Sequence, residues 1–158
     1  MSAPARREAE PGTDFDLDGF VPYLLNRLAN RLNRDLLDAL REIGLGTSEW
    51  RVLAVLRVRQ GLSLTDLAVL TISQQSTLSR VVDRMIASGL VERRRHSVDA
   101  RVAEVFLTAA GRAAFARVWP VARAQYERAV RGIPRAEVAA FTHTLRRMLY
   151  NVRKRHID

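Results

Sequence analysis

Residues 71–107 constrain the fold most, because an amphipathic helix, a glycine and an arginine-rich hairpin follow one another within this stretch. The first half carries apolar residues three and four positions apart, the spacing of a helix with one buried face: Leu78, Val81, Val82, Met85 and Ile86. Ser73 is the predicted N-cap of this helix, and Gly89 is its predicted left-handed C-cap. The sequence therefore predicts a glycine-terminated helix between these two residues.

The other side of this helix carries hydroxyls, amides and one arginine, with no acidic residue before Asp83. A rotation of about 100° per residue places Ser76 and Arg80 opposite the apolar stripe. Such side chains suit a helix that lies among base edges and phosphates, where a carboxylate is repelled. We predict that the following residues contact DNA: Gln74, Gln75, Ser76, Thr77, Ser79 and Arg80. The alternative interpretation is a solvated helix face.

Two short strands rich in Val, Leu and Phe are predicted over residues 90–94 and 101–107, around a polar tip. Four arginines lie within the nine residues 93–101. A thin, positively charged projection suits the minor groove, where the potential is most negative. Arg94, Arg95 and Arg101 are the candidate contacts, and the alternative is an arginine-rich surface turn. A helix, a glycine and a basic hairpin form the layout of a winged helix–turn–helix.

Several short motifs resemble the signature of the MarR family of bacterial transcription regulators: Leu67-Ala68, Ser76-Thr77-Leu78-Ser79-Arg80, Asp83-Arg84-Met85, Gly89-Leu90-Val91-Glu92-Arg93, Asp99-x-Arg101 and Leu107-Thr108-x-x-Gly111. The resemblance covers about residues 15–155. It implies a winged-helix DNA-binding lobe on a helical dimer, usually repressing a nearby operon until a small molecule binds. Members often carry a proline and acids ahead of the Asp-x-Arg, where this chain has His96-Ser97-Val98. Asp99 is expected to hold the Arg101 side chain in place rather than to contact DNA.

The charge of the chain favours a polyanionic partner. The 158 residues carry 26 Lys plus Arg against 17 Asp plus Glu, a net charge of +9. Such a balance is typical of nucleic-acid binding, and the planar guanidinium of arginine suits phosphate and guanine. Only Lys154 is a lysine, a preference that codon bias also explains. The length suits one domain, or a small DNA-binding lobe that shares its core with a dimerisation lobe.

Other classes of protein are disfavoured. Because the chain has no cysteine, it has no disulfide, thiolate metal site or thiol redox sensor. No apolar stretch approaches the ~20 residues that span a bilayer, and the charged N-terminus does not resemble a signal peptide. We therefore expect a cytoplasmic protein with no membrane partner.

Long amphipathic helices are predicted at both ends of the chain. Residues 1–14 read as a flexible tail, and the first helix begins at Asp16 and ends at Gly44. After the wing, Thr108 caps a helix that Pro120 should kink, and Pro134 fits the first turn of the last helix. Both ends carry more apolar surface than a small lobe covers, so we expect a homodimer. Residues 15–158 then form one unit, with a winged-helix lobe at about 47–108 and dimerisation helices at about 15–44 and 109–155.

Two further sets of residues are candidates for binding. Ser63 is the predicted N-cap of a short helix, and Asp66 three residues later completes a motif similar to a capping box. Ser63 and Thr65 are also candidates for phosphate contacts. Arg27 and Arg31 lie on the flank of the first helix, where they are either solvated or bind an anionic effector. Trp50 is more typical of a core, but the MarR resemblance places an effector near it, between the lobes. The expected effector is an aromatic acid or its coenzyme A thioester.

We expect neither an enzyme nor a cofactor. The sequence has no glycine-rich phosphate loop after a strand, no GxSxG and no HExxH. The three histidines are scattered and are not expected to bind a metal: His96, His143 and His156. The fold class is mainly α with a small β-hairpin. The leading hypothesis is an effector-responsive repressor that binds a pseudo-palindromic operator in double-stranded DNA. The alternatives are a non-specific architectural DNA-binding protein and a winged-helix protein-interaction adaptor.

Overall fold

The structure, a computed structural model, describes residues 16–95 and 103–152. Within these ranges the chain forms six helices and three short strands, in the order α1 (Val21–Arg41), α2 (Thr47–Val58), β1 (Leu62–Ser63), α3 (Leu64–Leu70), α4 (Gln75–Ala87), β2 (Val91–Arg95), β3 (Ala103–Leu107), α5 (Ala109–Ala129) and α6 (Arg135–Val152). The fold is mainly helical with one small antiparallel sheet, which confirms the predicted fold class. The tail predicted at 1–14 lies outside the described residues.

The helices α2, α3 and α4 share one core with the sheet. Its buried members are aliphatic side chains spaced at three and four residues along the helices: Val52, Leu53, Leu56, Leu67, Ala68, Leu78, Val81, Val82, Met85, Val91, Val105 and Leu107. The predicted apolar stripe of α4 is therefore the side that packs, and its polar side faces outward.

The sheet has the strand order β1, β3, β2, and both pairs are antiparallel. The strands β2 and β3 form the predicted hairpin, with Val91 opposite Leu107 at its base and Arg95 opposite Ala103. The strand β1 was not predicted. It is only two residues long, and its Leu62 is held by pairing with Val105, more than forty positions away in the sequence.

The start of α1 differs from the prediction. The helix begins at Val21 rather than at Asp16, because residues 16–18 form a turn in which the backbone N–H of Asp18 donates to Asp16 Oδ1 at 3.0 Å. Pro22 in the first turn fits the new start, since a proline there loses no helical hydrogen bond. The acidic side chains therefore form a turn before the helix instead of its first residues.

A second, smaller core joins α1 to α5. Leu36, Leu40 and Val118 are buried there, and Trp50 packs against them. The helix α5 is capped by Thr108, whose hydroxyl accepts from the backbone N–H of Gly111, and it continues through Pro120. The helix α6 has no buried residue. The predicted surplus of apolar surface at the end of the chain is thus present, whereas the dimer it implies stays a prediction.

Candidate nucleic-acid interface

The helices α3 and α4 form a helix–turn–helix around residues 71–74. The hydroxyl of Thr71 is buried and donates to the Leu67 carbonyl at 2.7 Å, and the backbone N–H of Ser73 donates to the Ala68 carbonyl at 2.9 Å. Between them Ile72 adopts a φ of 55°, a left-handed conformation that β-branched residues rarely take. These bonds satisfy the end of α3 and turn the chain sharply into α4, which we call the recognition helix.

The predicted N-cap of the recognition helix was wrong. The helix begins at Gln75 with Gln74 in the cap position, and no side chain caps it. Ser73 lies one residue too early, and its hydroxyl donates to the Thr71 carbonyl at 3.3 Å instead. The other end agrees with the predicted left-handed glycine, because Gly89 has a φ of 70° and follows the C-cap residue Ser88.

The outward face of the recognition helix carries most of the predicted DNA contacts. The exposed members are Gln74, Gln75, Ser76, Thr77 and Arg80, and Ser79 is half-buried beside them. Arg80 forms no ion pair with any residue in the described part of the chain. The helix thus presents amides, hydroxyls and one unneutralised guanidinium to solvent, the donors and acceptors that recognise base edges and phosphates.

The two residues predicted on α3 have partners within the chain. Ser63 accepts from the backbone N–H of Asp66 at 3.1 Å and donates to Asp66 Oδ2 at 2.8 Å, which gives the predicted cap. Thr65 Oγ1 accepts from Gln75 Nε2 at 3.4 Å. The structure therefore joins Thr65 and Gln75, and it uses the Ser63 hydroxyl to cap α3.

The arginines of the wing differ in their surroundings. Arg93 is paired with Asp83 of the recognition helix at 3.0 Å. Arg94 is paired with Glu92, and its guanidinium carbon lies 4.6 Å from the centre of the Phe106 ring. Arg95 is exposed at the end of β2 and forms no ion pair with a described residue. The concentrated positive charge predicted for this hairpin is therefore partly neutralised within β2.

The rest of the predicted wing tip, residues 96–102, lies outside the described residues. The predicted contact through Arg101 and the supporting role of Asp99 therefore stay predictions, as does the conformation of His96-Ser97-Val98.

The three candidate effector residues do not form one cluster. Arg27 and Arg31 are exposed on the first half of α1, and the guanidinium carbon of Arg27 lies 5.4 Å from the centre of the Tyr23 ring. Trp50 packs near Leu36, nine residues and about 13 Å farther along the helix. Its ring stacks on Phe115 at 5.2 Å with a 5° tilt, and Phe115 stacks on Trp119 at 5.7 Å. Trp50 thus belongs to an aromatic row between α2 and α5.

Sequence reasoning missed two links that hold the recognition helix. Asp83 pairs with Arg93 of the wing, and Arg84 pairs with Glu49 of α2 at 2.9 Å. The spacing from Gly46 to Glu49 is that of a capping box, which signals that the carboxylate turns back toward the start of α2. No pattern in the sequence signals its second partner, 35 positions away.

A third polar group, also missed, joins α1 to α5. The amide of Gln125, only 7% exposed, donates to the Asp35 carboxylate, and Arg128 Nη2 donates to the same oxygen at 3.1 Å. The hydrogen bond from Gln125 is the main cause that lowers the pKa of Asp35; burial opposes it, and the hydrogen bond and positive charge of Arg128 add to the lowering. This network fixes the two helices at a point away from the DNA-binding lobe.

Over the described ranges, no helix is long and apolar enough to cross a membrane. The same ranges contain no group of three or more histidine or acidic side chains placed to hold a metal ion.

The helix–turn–helix, its outward polar helix face and the two-stranded wing together define a winged helix–turn–helix DNA-binding protein. The model of the MarR family matches residues 43–102. A solved MarR-family transcriptional regulator from Silicibacter pomeroyi is 41% identical, with a TM-score of 0.84, over 90% of this chain and 96% of that one. The chain belongs to the MarR family of transcription regulators, so it is a regulator rather than an enzyme.

Two further relatives are similar over most of their length. The HTH-type transcriptional repressor IacR of Pseudomonas putida is 28% identical over 96% of this chain and 93% of its own. Bordetella bronchiseptica BpsR is 27% identical over 86% of this chain and 97% of that one, with a TM-score of 0.71. Its structure concerns the regulation of its DNA binding by 6-hydroxynicotinic acid.

Proposed function

We propose that this regulator is a homodimeric repressor that binds a pseudo-palindromic operator and leaves it when a small aromatic or anionic effector binds. The single observation that carries the proposal is the outward face of the recognition helix, with exposed amides, hydroxyls and the unpaired Arg80 beside the wing. An architectural protein needs only charge, whereas this face offers donors and acceptors suited to sequence readout. A regulator of this kind acts in the cytoplasm, where bacterial DNA lies.

In this proposal the recognition helices of two subunits enter successive major grooves about 34 Å apart. Gln75, Ser76 and Thr77 lie in the first turn and reach base edges, and Arg80 reaches guanine or a phosphate. Arg95 and Arg101 enter the flanking minor groove, and Asp99 orients Arg101. Thr65 supports the first turn of the recognition helix through its hydrogen bond with Gln75, and Ser63, which caps α3, stays a predicted phosphate contact.

The homodimer is supported by the surfaces left uncovered at the two ends of the described chain. α6 buries none of its residues, and the start of α1, together with the residues just before it, exposes a set of large apolar side chains: Leu17, Phe20, Val21, Leu24 and Leu28. A groove of about 660 Å³ lies between α5 and α6, and its apolar lining is interspersed with Glu127, Thr142, Arg135 and Arg146. We expect the apolar stripe at the start of α1 in a second copy to pack on the apolar part of this groove, with Asp16 and Asp18 ahead of it opposite in charge to Arg135 and Arg146.

The effector class rests on two observations. BpsR, a relative of similar length, is regulated by 6-hydroxynicotinic acid, and this chain has a row of stacked aromatic rings, Trp50, Phe115 and Trp119, at the junction of its lobes. A planar acid suits such rings, and Arg27 or Arg31 would meet its carboxylate. A coenzyme A thioester would use the same arginines for its phosphates. Calorimetry with 6-hydroxynicotinate and with an aryl coenzyme A thioester tests this. Binding that Arg27→Ala and Arg31→Ala leave unchanged would remove these arginines from the site.

The decisive experiment compares the DNA upstream of the protein's own gene with a scrambled duplex at two salt concentrations. Both affinities will fall as salt rises, because arginine contacts release counterions. A preference of ~10³-fold or more for the upstream DNA is expected of a specific regulator. Equal binding to both duplexes would instead favour the architectural protein, and weak binding to both would favour the interaction adaptor.

A further inference from the structure

The recognition helix carries two exposed arginines one turn apart, and only one of them is neutralised. Arg84 Nη2 donates to Glu49 Oε1 at 2.9 Å. Arg80 makes no such pair with the residues described in 16–95 and 103–152. Glu49 therefore distinguishes between two cations that both lie on the DNA-binding element.

Glu49 is held rigidly enough to make this distinction. Its side chain is only 15% exposed, whereas that of Arg84 is 68% exposed. Its second oxygen, Oε2, accepts from the backbone N–H of Gly46 at 3.1 Å, so both oxygens of the carboxylate are engaged. A Cβ at Gly46 would lie 2.9 Å from Oε2, so the glycine leaves the room that the carboxylate needs to turn back.

The ion pair between Glu49 and Arg84 also joins two helices, α2 and the recognition helix. Glu49 lies in the first turn of α2, and Arg84 lies in the last turn of the recognition helix. The next residue, Trp50, stacks on Phe115 of α5. One turn of α2 thus contacts the recognition helix through Glu49 and the long helix α5 through Trp50.

We propose that Glu49 is a positioning residue for DNA recognition, which withholds Arg84 from the phosphate backbone and fixes the rotation of the recognition helix so that Arg80 faces the DNA. The inference deepens the proposed function and rests on it. Without the Glu49 carboxylate, Arg84 becomes an additional, sequence-independent phosphate contact. Affinity for any duplex then becomes more salt-dependent, and the preference for the operator falls.

Two variants separate this role from the capping of α2. Glu49→Gln keeps an oxygen that accepts from Gly46 but removes the charge that neutralises Arg84. Arg84→Gln removes the pair and leaves the bond between Glu49 and Gly46 in place. Glu42→Gln is the matched control, because it removes an exposed carboxylate at the end of α1 and raises the net charge equally.

The test measures the slope of log Kd against log salt for each full-length variant, on the upstream duplex and on the scrambled one. Glu49→Gln should steepen the slope by about one contact and lower the preference for the upstream duplex about tenfold. Arg84→Gln alone should leave the slope at the wild-type value, and the double variant should return to it. Glu42→Gln should change neither quantity in this way.

Two results overturn the inference. One is a slope for Glu49→Gln no steeper than that of Glu42→Gln. The other is a slope for Arg84→Gln alone that is shallower than the wild-type slope, which shows that Arg84 contacts DNA despite Glu49. The Arg84→Gln measurement tests the proposed role of Glu49 even if Glu49→Gln fails to fold. Wild-type protein that binds both duplexes equally contradicts the proposed function only, because the slopes still test Glu49. Wild-type protein that binds neither duplex contradicts both.

Discussion

The carboxylate of Asp83 on the recognition helix lies 3.0 Å from the guanidinium of Arg93 on β2. The pair joins the helix that we propose enters the major groove to the base of the wing. Asp83 is the first acidic residue of the recognition helix, and its carboxylate is paired with Arg93 of the wing. An acid near a DNA-binding face is tolerated here because its charge is neutralised within the protein.

Breaking this pair should weaken specific DNA binding without unfolding the protein. Exposed ion pairs contribute at most about 1 kcal/mol, so Asp83→Asn should lower the preference for the upstream duplex over the scrambled one by about fivefold at most. The measurement is a fluorescence-anisotropy titration. Asp38→Asn is the control, because it breaks a similar exposed pair with Arg41 on α1. Equal effects of the two variants would show that the wing does not depend on Asp83.

Arg80 should be the most sensitive residue of the recognition helix. A bidentate contact with guanine contributes about 1–3 kcal/mol of discrimination, so Arg80→Ala should raise the Kd for the upstream duplex roughly tenfold to a hundredfold. Arg101→Ala should also weaken binding strongly, and Asp99→Ala should do so less directly. Arg123→Ala removes an exposed arginine on α5 and is the matched control for charge. Unchanged affinity in both Arg80→Ala and Arg101→Ala would contradict the DNA-contact assignment.

The helix–turn–helix contains a strained residue whose replacement should stabilise the fold. Ile72 has a φ of 55° and is 82% exposed. Its backbone is therefore in an unfavourable conformation that burial of the side chain does not offset. A left-handed L-residue costs about 1–2 kcal/mol, and asparagine tolerates this region better than a β-branched residue. Ile72→Asn should therefore raise the free energy of unfolding by about 1 kcal/mol, measured by urea denaturation. Val58→Asn, which replaces an equally exposed valine at the end of α2, should bring no gain.

The network around Asp35 should make stability depend on pH in the acidic range. The folded state lowers the pKa of Asp35 below its unfolded value, chiefly through the bond from Gln125. The stabilisation is therefore complete above the unfolded pKa of about 4 and is lost as pH falls through the lower folded pKa. Urea midpoints of wild type and Asp35→Asn should converge as the pH falls below about 4. A difference that stays constant down to pH 3 would show that the Asp35 charge is not involved.

Disrupting the apolar stripe of α1 should dissociate the dimer. Leu24→Glu places a charge on the surface that we expect to enter the groove between α5 and α6 of a second copy. Sedimentation velocity should show monomers, and affinity for the upstream duplex should fall, since two half-sites are no longer bound together. Val58→Glu adds the same charge to an exposed position of the DNA-binding lobe and should leave the oligomeric state unchanged. A dimeric Leu24→Glu variant would exclude this mode of assembly.

Periodicity and local caps were sufficient to predict most of the lobe that binds DNA. The apolar stripe from Leu78 to Met85, the left-handed Gly89 and the cap at Thr108 all depend on neighbours within one or two turns. The same reasoning placed the N-cap at Ser73, one residue before Gln74. The chain there has no side-chain cap, so the residue type that usually marks a helix start was misleading.

The features that could not be predicted depend on contacts distant in the sequence. The two residues of β1 have no strand pattern of their own and exist as a strand only because β3 pairs with them. Glu49 finds Arg84, and Gln125 finds Asp35, after the helices have packed. The polar face of the recognition helix was foreseen, but the selective neutralisation of its charges depends on tertiary geometry.

The length of α5 bears on how small a disturbance can change the alignment with DNA. The helix starts directly after the wing strand β3 and runs for 21 residues, about 31 Å. A tilt of about 5° about one end of α5 displaces the other end by about 3 Å, close to the 3.4 Å rise along the DNA axis between neighbouring phosphates of one strand. Pro120, near its midpoint, removes one of the hydrogen bonds that stiffen it. A tilt of only a few degrees in α5 would therefore move the wing by nearly one base step.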